Sequence, residues 1–569
     1  MSAQGKGIFR LAWIGGYERL IPKTMTSRSL RHRAPLLWVL LPLMAGLVAG
    51  KLQWSPLPPL WAAVAAVVFA GAALAWRLAW APALIAGVFL SGAALYDLHR
   101  MRLPDWDALP PREVRATLEI DRVFPPRADG RSVGGIGRVI AAEAHLAELA
   151  GQRVYFSATL RRGEEAPPRS SRVALVGVLE TLPRDPAAGG FDGYLADQGV
   201  NFKLTRARLA GPAGGIGAYA RFREDALRRF NAILGHGIEP HARHGGVLRA
   251  MLLGQQQELS DEQNAFFRES GTMHLFSISG LHIAVIAAAI QGVLMLMRLP
   301  QLARLVAGTF LLWLYVDITG CAPSAVRAFL MVVFVHAAHA LRLPGGPVPA
   351  LAASAVCVLA VRPMQLFSAS FQLSYGIVAA LLLLGLPLAD RWNEKAALFA
   401  WLPKVSWRWY HYATDWCWRA LLGAVAIGAA TTLFGLISGV AMFQLLTPVS
   451  LLANLVLIPV GSLVIVSGFL ALLCGLAGLG GLAIVFNHAS VLVLAGIELA
   501  VRFFTSLPGA YRAAEFGSVW FGYTALVGLI AVILHGYAHR WAPERGGFWP
   551  PFAFTLLVLV LGARFPVTP

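Results

Sequence analysis

His274-Leu-Phe-Ser-Ile-Ser-Gly-Leu-His282 leads directly into an apolar run from Ile283 to Met297, and the two together decide what kind of molecule this is. The run carries no charge, and a helix crossing a bilayer needs about 20 mostly apolar residues. Similar runs recur along most of the 569 residues. The chain is 57% hydrophobic and only 14% charged, where soluble proteins carry about a quarter charged residues. The apolar material supplies roughly ten to thirteen spans of that length. The expected fold is a polytopic α-helical membrane protein, interrupted near its N-terminus by one strand-rich insert.

Toward the N-terminus, residues 1–35 carry Lys6, Arg10, Arg19, Lys23, Arg28, Arg31 and Arg33 against Glu18 alone. Lys and Arg hold a flanking segment in the cytoplasm. Apolar segments follow within 36–98, at Leu36, at about 60–76 and at 80–96, which makes a retained first span a better reading than a cleaved signal peptide. Three spans place the next segment outside. Met25 is an alternative start. The net charge of +18 would indicate nucleic-acid binding in a soluble protein, but here retention charge accounts for most of it.

From Arg112 to Pro212 long apolar runs vanish and charges become frequent. Period-two alternation marks strands at Val114–Val123, Ile136–Ala142, Arg153–Leu160, Arg172–Leu179 and Asn201–Leu209. Five short strands fit an OB-like barrel, expected outside the cytoplasm. Fifteen basic and twelve acidic residues make it weakly basic. Phe124, Tyr155, Phe156, Phe191, Tyr194 and Phe202 are its candidates for base stacking, set against a purely structural barrel. Residues 216–245 form an amphipathic helix and linker, with Tyr219, Phe222, Ala226, Phe230 and Ile233 at helical spacing. The remaining domain spans 246–569.

Polar residues in a span are costly and mark a pathway or a packing joint. Within the opening stretch these are His274, Ser277, Ser279, Gly280 and His282; non-helical backbone there must be buried in protein or line a wet cavity. A second station, Asp317 to Arg327, is broken by Gly320 and Pro323. Ser324 is placed to cap the following helix, and Asp317 to pair with Arg327. In a third, Ser368, Gln372 and Tyr375 share a helix face. Asn454 belongs to a fourth, with Gln444, Thr447, Pro448 and Ser450. Asn487, His488 and Glu498 read as packing. The plain structural alternatives are helix caps and interhelical hydrogen bonds.

Other motifs are weak. Cys321, Cys357, Cys417 and Cys474 lack metal-ligand spacing and read as core residues. His236, Glu239, His241 and His244 make a poor zinc set, and His336 and His339 a packed pair. No phosphate-binding loop or hydrolase elbow occurs. No cofactor, metal or catalytic residue is expected.

The stations together resemble a known family. Residues 267–283, Phe-Arg-Glu-Ser-Gly-Thr-Met-His-Leu-Phe-Ser-Ile-Ser-Gly-Leu-His-Ile, resemble the signature of ComEC-type competence proteins. So, in the same order, do the stretches at 189–200, 319–328, 366–374 and 446–455. The resemblance implies a bacterial inner-membrane channel for single-stranded DNA in natural transformation, with the polar stations, Arg327 and, further, Arg249 and Arg268 along the DNA path. It also implies a periplasmic DNA receptor and cytoplasmic DNA-handling proteins as partners. Many members continue into a metallo-β-lactamase-like nuclease domain. This sequence stops at Arg564-Phe-Pro-Val-Thr-Pro569 and carries no His-x-His-x-Asp-His set. The expectation is therefore a channel rather than an enzyme: a short form, or one whose nuclease is a separate protein, or a truncated sequence. The competing classes are a membrane-embedded enzyme using His274, His282 and the serines, and a small-solute transporter.

Overall fold

The computed structural model describes residues 35–54, 57–75, 80–100, 111–124, 132–161, 166–183, 190–211, 217–342 and 346–566. The basic segment 1–34, with Met25, lies outside these, as do Gly189 and Pro212.

Three apolar helices come first, α1 (Leu37–Lys51), α2 (Pro59–Ala75) and α3 (Trp80–Arg100). α1 and α3 meet through glycines. A Cβ on Gly46 would lie 1.9 Å from the Phe89 carbonyl oxygen, and one on Gly92 would lie 2.5 Å from that of Leu43. Backbones approach this closely only where side chains are absent, the usual device for packing helices in lipid.

The insert follows as β1 (Arg112–Val123), β2 (Ser132–Ala142), β3 (Arg153–Thr159), β4 (Arg172–Thr181), a short helix α4 (Phe191–Asp197) and β5 (Phe202–Leu209). The strands close into a barrel in the order β1-β2-β3-β5-β4, with β3 and β5 parallel and the other pairs antiparallel. This is the OB arrangement. Alternate residues point inward, so Leu118, Ile120, Phe156, Val173, Phe202 and Leu204 fill the barrel. All five expected strands are present within a few residues of their expected limits. Phe156 and Phe202 are core residues and so leave the set of candidate stacking aromatics.

Beyond the barrel lie α5 (Ala218–Gly235), the amphipathic helix, then α6 (Ala242–Leu253) and α7 (Asp261–Glu269). The remaining helices are α8 (Gly280–Leu296), α9 (Gln301–Ile318), α10 (Pro323–Ala340), α11 (Pro347–Val361), α12 (Ala369–Lys395, with a π-turn at Leu381–Gly385), α13 (Trp409–Phe443), α14 (Ser450–Leu476), α15 (Gly480–Ser506), α16 (Val519–Ala538) and α17 (Trp549–Gly562). Among the described residues, ten helical segments are long and apolar enough to cross a membrane, and α1, α2 and α11 are shorter apolar helices. Their outward faces carry Val67, Leu296, Leu492, Val527 and Val560, as lipid-facing surfaces do. Two-residue ladders pair Leu445–Leu446 with Arg512–Ala513 and Glu515–Phe516 with Ala563–Arg564.

The thiols correct one expectation. Cys357 and Cys417 are exposed rather than buried, and Cys321 and Cys474 are half-buried. In a bundle that faces lipid, apolar neighbours in sequence do not imply a core position.

Candidate functional site

The polar stations contact one another pairwise, and the one at Asp317 meets the barrel. α8 starts at Gly280 because Ser279 adopts extended backbone and caps it. The Ser279 backbone N–H donates to His282 Nδ1 at 3.3 Å, and the Ser279 hydroxyl lies 2.8 Å from the same atom. Accepting at Nδ1 leaves the ring proton on Nε2. His282 is fully buried, and its Nε2 has no partner in the protein. The turn before α8 is held from α10: the Ser324 hydroxyl donates to the Ile278 carbonyl at 2.7 Å. Ser324 therefore does not cap α10, which begins with Pro323 at its first position and no side-chain cap.

One turn further along α10, Arg327 is 1% exposed. Its Nη2 donates to the carbonyl and hydroxyl oxygens of Ser370, each at 2.8 Å. Its Nε and Nη1 have no partner in the protein. Ser370 is presented by the first turn of α12, which Ser368 caps by accepting from the Phe371 N–H at 3.2 Å. Gln372 donates to the Leu366 carbonyl at 3.1 Å, and Tyr375 lies 3.0 Å from the Ser354 hydroxyl on α11. The fourth station closes on the first: a Cβ on Gly271, whose φ is +71°, would meet Ser450 at 2.9 Å and Thr447 at 3.1 Å. Asn454 Oδ1, on α14, is buried without a partner. His274 and Gly280 are exposed and Ser277 is half-buried.

Asp317 does not pair with Arg327. Its carboxylate is held by Arg169 of the β3–β4 loop at 3.2 Å and by Arg223 of α5 at 3.5 Å. Tyr219 donates to it at 2.8 Å, and the Cys321 thiol at 3.2 Å. Arg223 also reaches the Ser170 hydroxyl at 3.0 Å, and Arg169 the Asp121 carbonyl at 3.1 Å. Asp317 thus clamps the barrel and the amphipathic helix to the end of α9. Burial, then the bond to Asp317, raises the Tyr219 hydroxyl above its ordinary pKa. Burial likewise raises the Cys321 thiol. Sequence reading missed Arg169 and Arg223, and read Tyr219 only as part of the amphipathic helix, because the three lie 148, 94 and 98 residues from Asp317. The available signal was an aspartate in an apolar helix, which must find a cation or a donor.

On the barrel rim near this clamp, Phe124, Tyr155, Phe191 and Tyr194 form one aromatic cluster, with Tyr155 and Phe191 centroids 5.1 Å apart. Phe191 is 52% exposed. Arg122 lies 5.6 Å from the Phe124 ring and donates to the Tyr194 hydroxyl at 3.3 Å. Desolvation, then repulsion from Arg153, lowers the pKa of Arg362 at the end of α11. Arg153 is itself paired with Asp121 at 3.1 Å.

Arg249 is paired with Glu258 at 2.5 Å, so its charge is already compensated. Glu498 is no simple packing residue: it bonds Arg243, His244 and Arg502 at 2.8, 3.4 and 3.0 Å. Asn487 does pack, donating to the Ile233 and His236 carbonyls. Among the described residues, no group of three or more His, Cys, Asp or Glu side chains is arranged to hold a metal. His236, Glu239, His241 and His244 do not converge; the Glu239 carboxylate instead accepts from its own backbone N–H and from the Gly237 N–H, and these bonds lower its pKa.

The fold and the seam at Asp317 define a multi-pass membrane protein with an OB barrel seated on a bundle whose polar groups are only partly satisfied. The sequence profile described as "Competence protein" matches residues 251–539. The chain belongs to that family. It is 30% identical over 138 residues to ComE operon protein 3 of Bacillus subtilis (strain 168), covering 24% of this chain and 18% of that protein. It is 27% identical over 176 residues to Recombination protein 2 of Haemophilus influenzae, covering 28% and 21%. It is 25% identical over 239 residues to the uncharacterized protein YcaI of Escherichia coli K12, covering 40% and 28%. These alignments span under a third of each relative's length. No solved structure matches the chain.

Proposed function

We propose that the chain conducts single-stranded DNA across the cytoplasmic membrane, entering at the seam between barrel and bundle and passing the stations of α8, α10, α12 and α14. Arg327 carries this reading. Its guanidinium is buried between α10 and the first turn of α12, with two nitrogens free of protein partners. A buried guanidinium is expensive unless matched by an anion or by water, and a phosphodiester is the anion its planar fork fits best. His282 Nε2 and Asn454 Oδ1 add sequence-blind hydrogen-bonding groups. Membership of the competence family supports DNA as the cargo. The enzyme alternative gains nothing from the geometry, since His282 is engaged in capping α8.

In this reading the N-terminus and the loops after α2, α8, α10, α12, α14 and α16 lie in the cytoplasm, and the barrel lies outside. Those loops carry Arg298, Arg342, Lys404, Arg408, Arg540 and Arg545, as the positive-inside rule requires. The partners are then an external DNA receptor, cytoplasmic DNA-handling proteins and a nuclease.

Cells deleted for the protein should still bind labelled DNA outside but fail to bring it into the cytoplasm. Arg327→Glu should lower transformation by at least about tenfold, equivalent to about 1.4 kcal/mol on a rate, with membrane protein level unchanged. Arg327→Lys should retain most activity. Normal transformation by Arg327→Glu removes that residue from the path.

A further inference from the structure

Far along the chain from these stations, the turn between α16 and α17 borders an open pocket of about 430 Å³. Three cationic or titratable side chains line it: His535 and His539, one helical turn apart on α16, and Arg545. Arg545 Nη1 donates to His539 Nε2 at 2.7 Å, and the two imidazole centroids are 4.5 Å apart. Among the described residues, Arg545 has no carboxylate within ion-pair distance. Pro550, in the first turn of α17, also lines the pocket; with Pro550 and Pro551 lacking N–H groups, that turn adds shape rather than donors.

The walls are rigid. Trp541 is buried, donates from its indole to the Leu383 carbonyl at 3.1 Å, and stacks on Phe548 at 4.9 Å. A Cβ on Gly536 would lie 2.2 Å from the Trp541 ring, so only glycine admits the indole there. The turn passes through positive φ at Arg540, Trp541, Gly546 and Gly547, which holds Arg545 against α16.

We propose that this cavity binds the phosphate headgroup of an acidic phospholipid. A guanidinium and two imidazoles converge, and none is offset by an acid among them; this is the electrostatic pattern of a phosphate site. The surroundings select lipid as the source. Beside the cavity, Trp549 is 78% exposed, and Leu556, Leu557, Val560 and Leu561 extend an apolar face along α17, where acyl chains would lie. Aromatic and basic residues together mark the headgroup level of a bilayer. Assignment to the inner leaflet rests on the orientation proposed above; headgroup binding itself does not.

The test uses the full-length protein in neutral detergent, titrated with phosphatidylglycerol or phosphatidylcholine, with retained lipid read by native mass spectrometry. Phosphatidylglycerol should be retained about fivefold better, the effect of one basic side chain at an anionic surface. His539→Gln with Arg545→Gln should abolish that preference, while Arg512→Gln, on a distant loop, should leave it intact. Should the double variant fail to fold, Arg545→Lys should keep a reduced preference. Equal retention of the two lipids by the unmodified protein overturns the proposal, as does an unchanged preference in the folded double variant. Inorganic phosphate raising the Tm as much as phosphatidylglycerol would overturn the lipid source. A fluorescent single-stranded oligonucleotide that binds in place of lipid, and is lost in the same variants, would assign the cavity to nucleic acid and also overturn it. None of these outcomes depends on DNA import, so this proposal and the channel reading fail separately.

Discussion

Asp317 shows what a single residue does in this bundle. An isolated carboxylate at the end of an apolar helix would be costly, and two arginines and a tyrosine offset that cost. Asp317→Asn removes the charge and leaves Arg223, itself 8% exposed, without its counter-ion. The expected loss is about 2–3 kcal/mol, below the 3–5 of a fully buried pair because Arg169 is partly exposed. Thermal unfolding in detergent measures it, and Arg169→Gln should cost less. Equal Tm values for Asp317→Asn and the unmodified protein would mean that the clamp does not hold the barrel. Sequence reading identified Asp317 and Arg327 as residues needing explanation but joined them to each other. Ten residues of separation suggested the pair; the fold supplied partners from other elements.

At the scale of elements, the barrel was the most legible part. Alternation survives in the burial of β1 and β4, where every second residue is buried, because each strand has one face in the core. The helix Phe191–Asp197 was not read, since seven residues are too few to show a 3.6-residue period. Yet that helix places Phe191 on the rim. Phe156 and Phe191 should therefore behave oppositely. Phe156→Ala empties the barrel core and should cost about 3–5 kcal/mol. Phe191→Ala should leave the Tm near its original value and weaken single-stranded DNA binding by the full-length protein, the rim aromatic being worth about 1–3 kcal/mol if bases stack on it. Unaltered DNA binding by Phe191→Ala would make the rim cluster purely structural. The membrane helices were legible as apolar runs but not as partners. The glycine contact between α1 and α3 depends on which faces meet, which no periodicity discloses.

Across the whole molecule, the orientation makes the broadest prediction. Reporters that require the cytoplasm should be active when inserted at Arg342 or Lys404, and reporters that require export when inserted in the exposed stretch after Ser506. The reverse pattern would place the barrel in the cytoplasm and end the DNA-entry reading. The sequence by itself determined the membrane class, the OB-like insert, its strands, and the family resemblance that the profile match bears out. These follow from local composition, period and motif, all carried by neighbouring residues. Only the tertiary structure decided which charges neutralise one another. It gave Asp317 to the barrel and the amphipathic helix, spent Arg249 on Glu258, and left Arg327 and His282 with unpartnered nitrogens. Electrostatic pairing falls off with distance in space, and a hundred residues of chain can close to 3 Å once the helices pack.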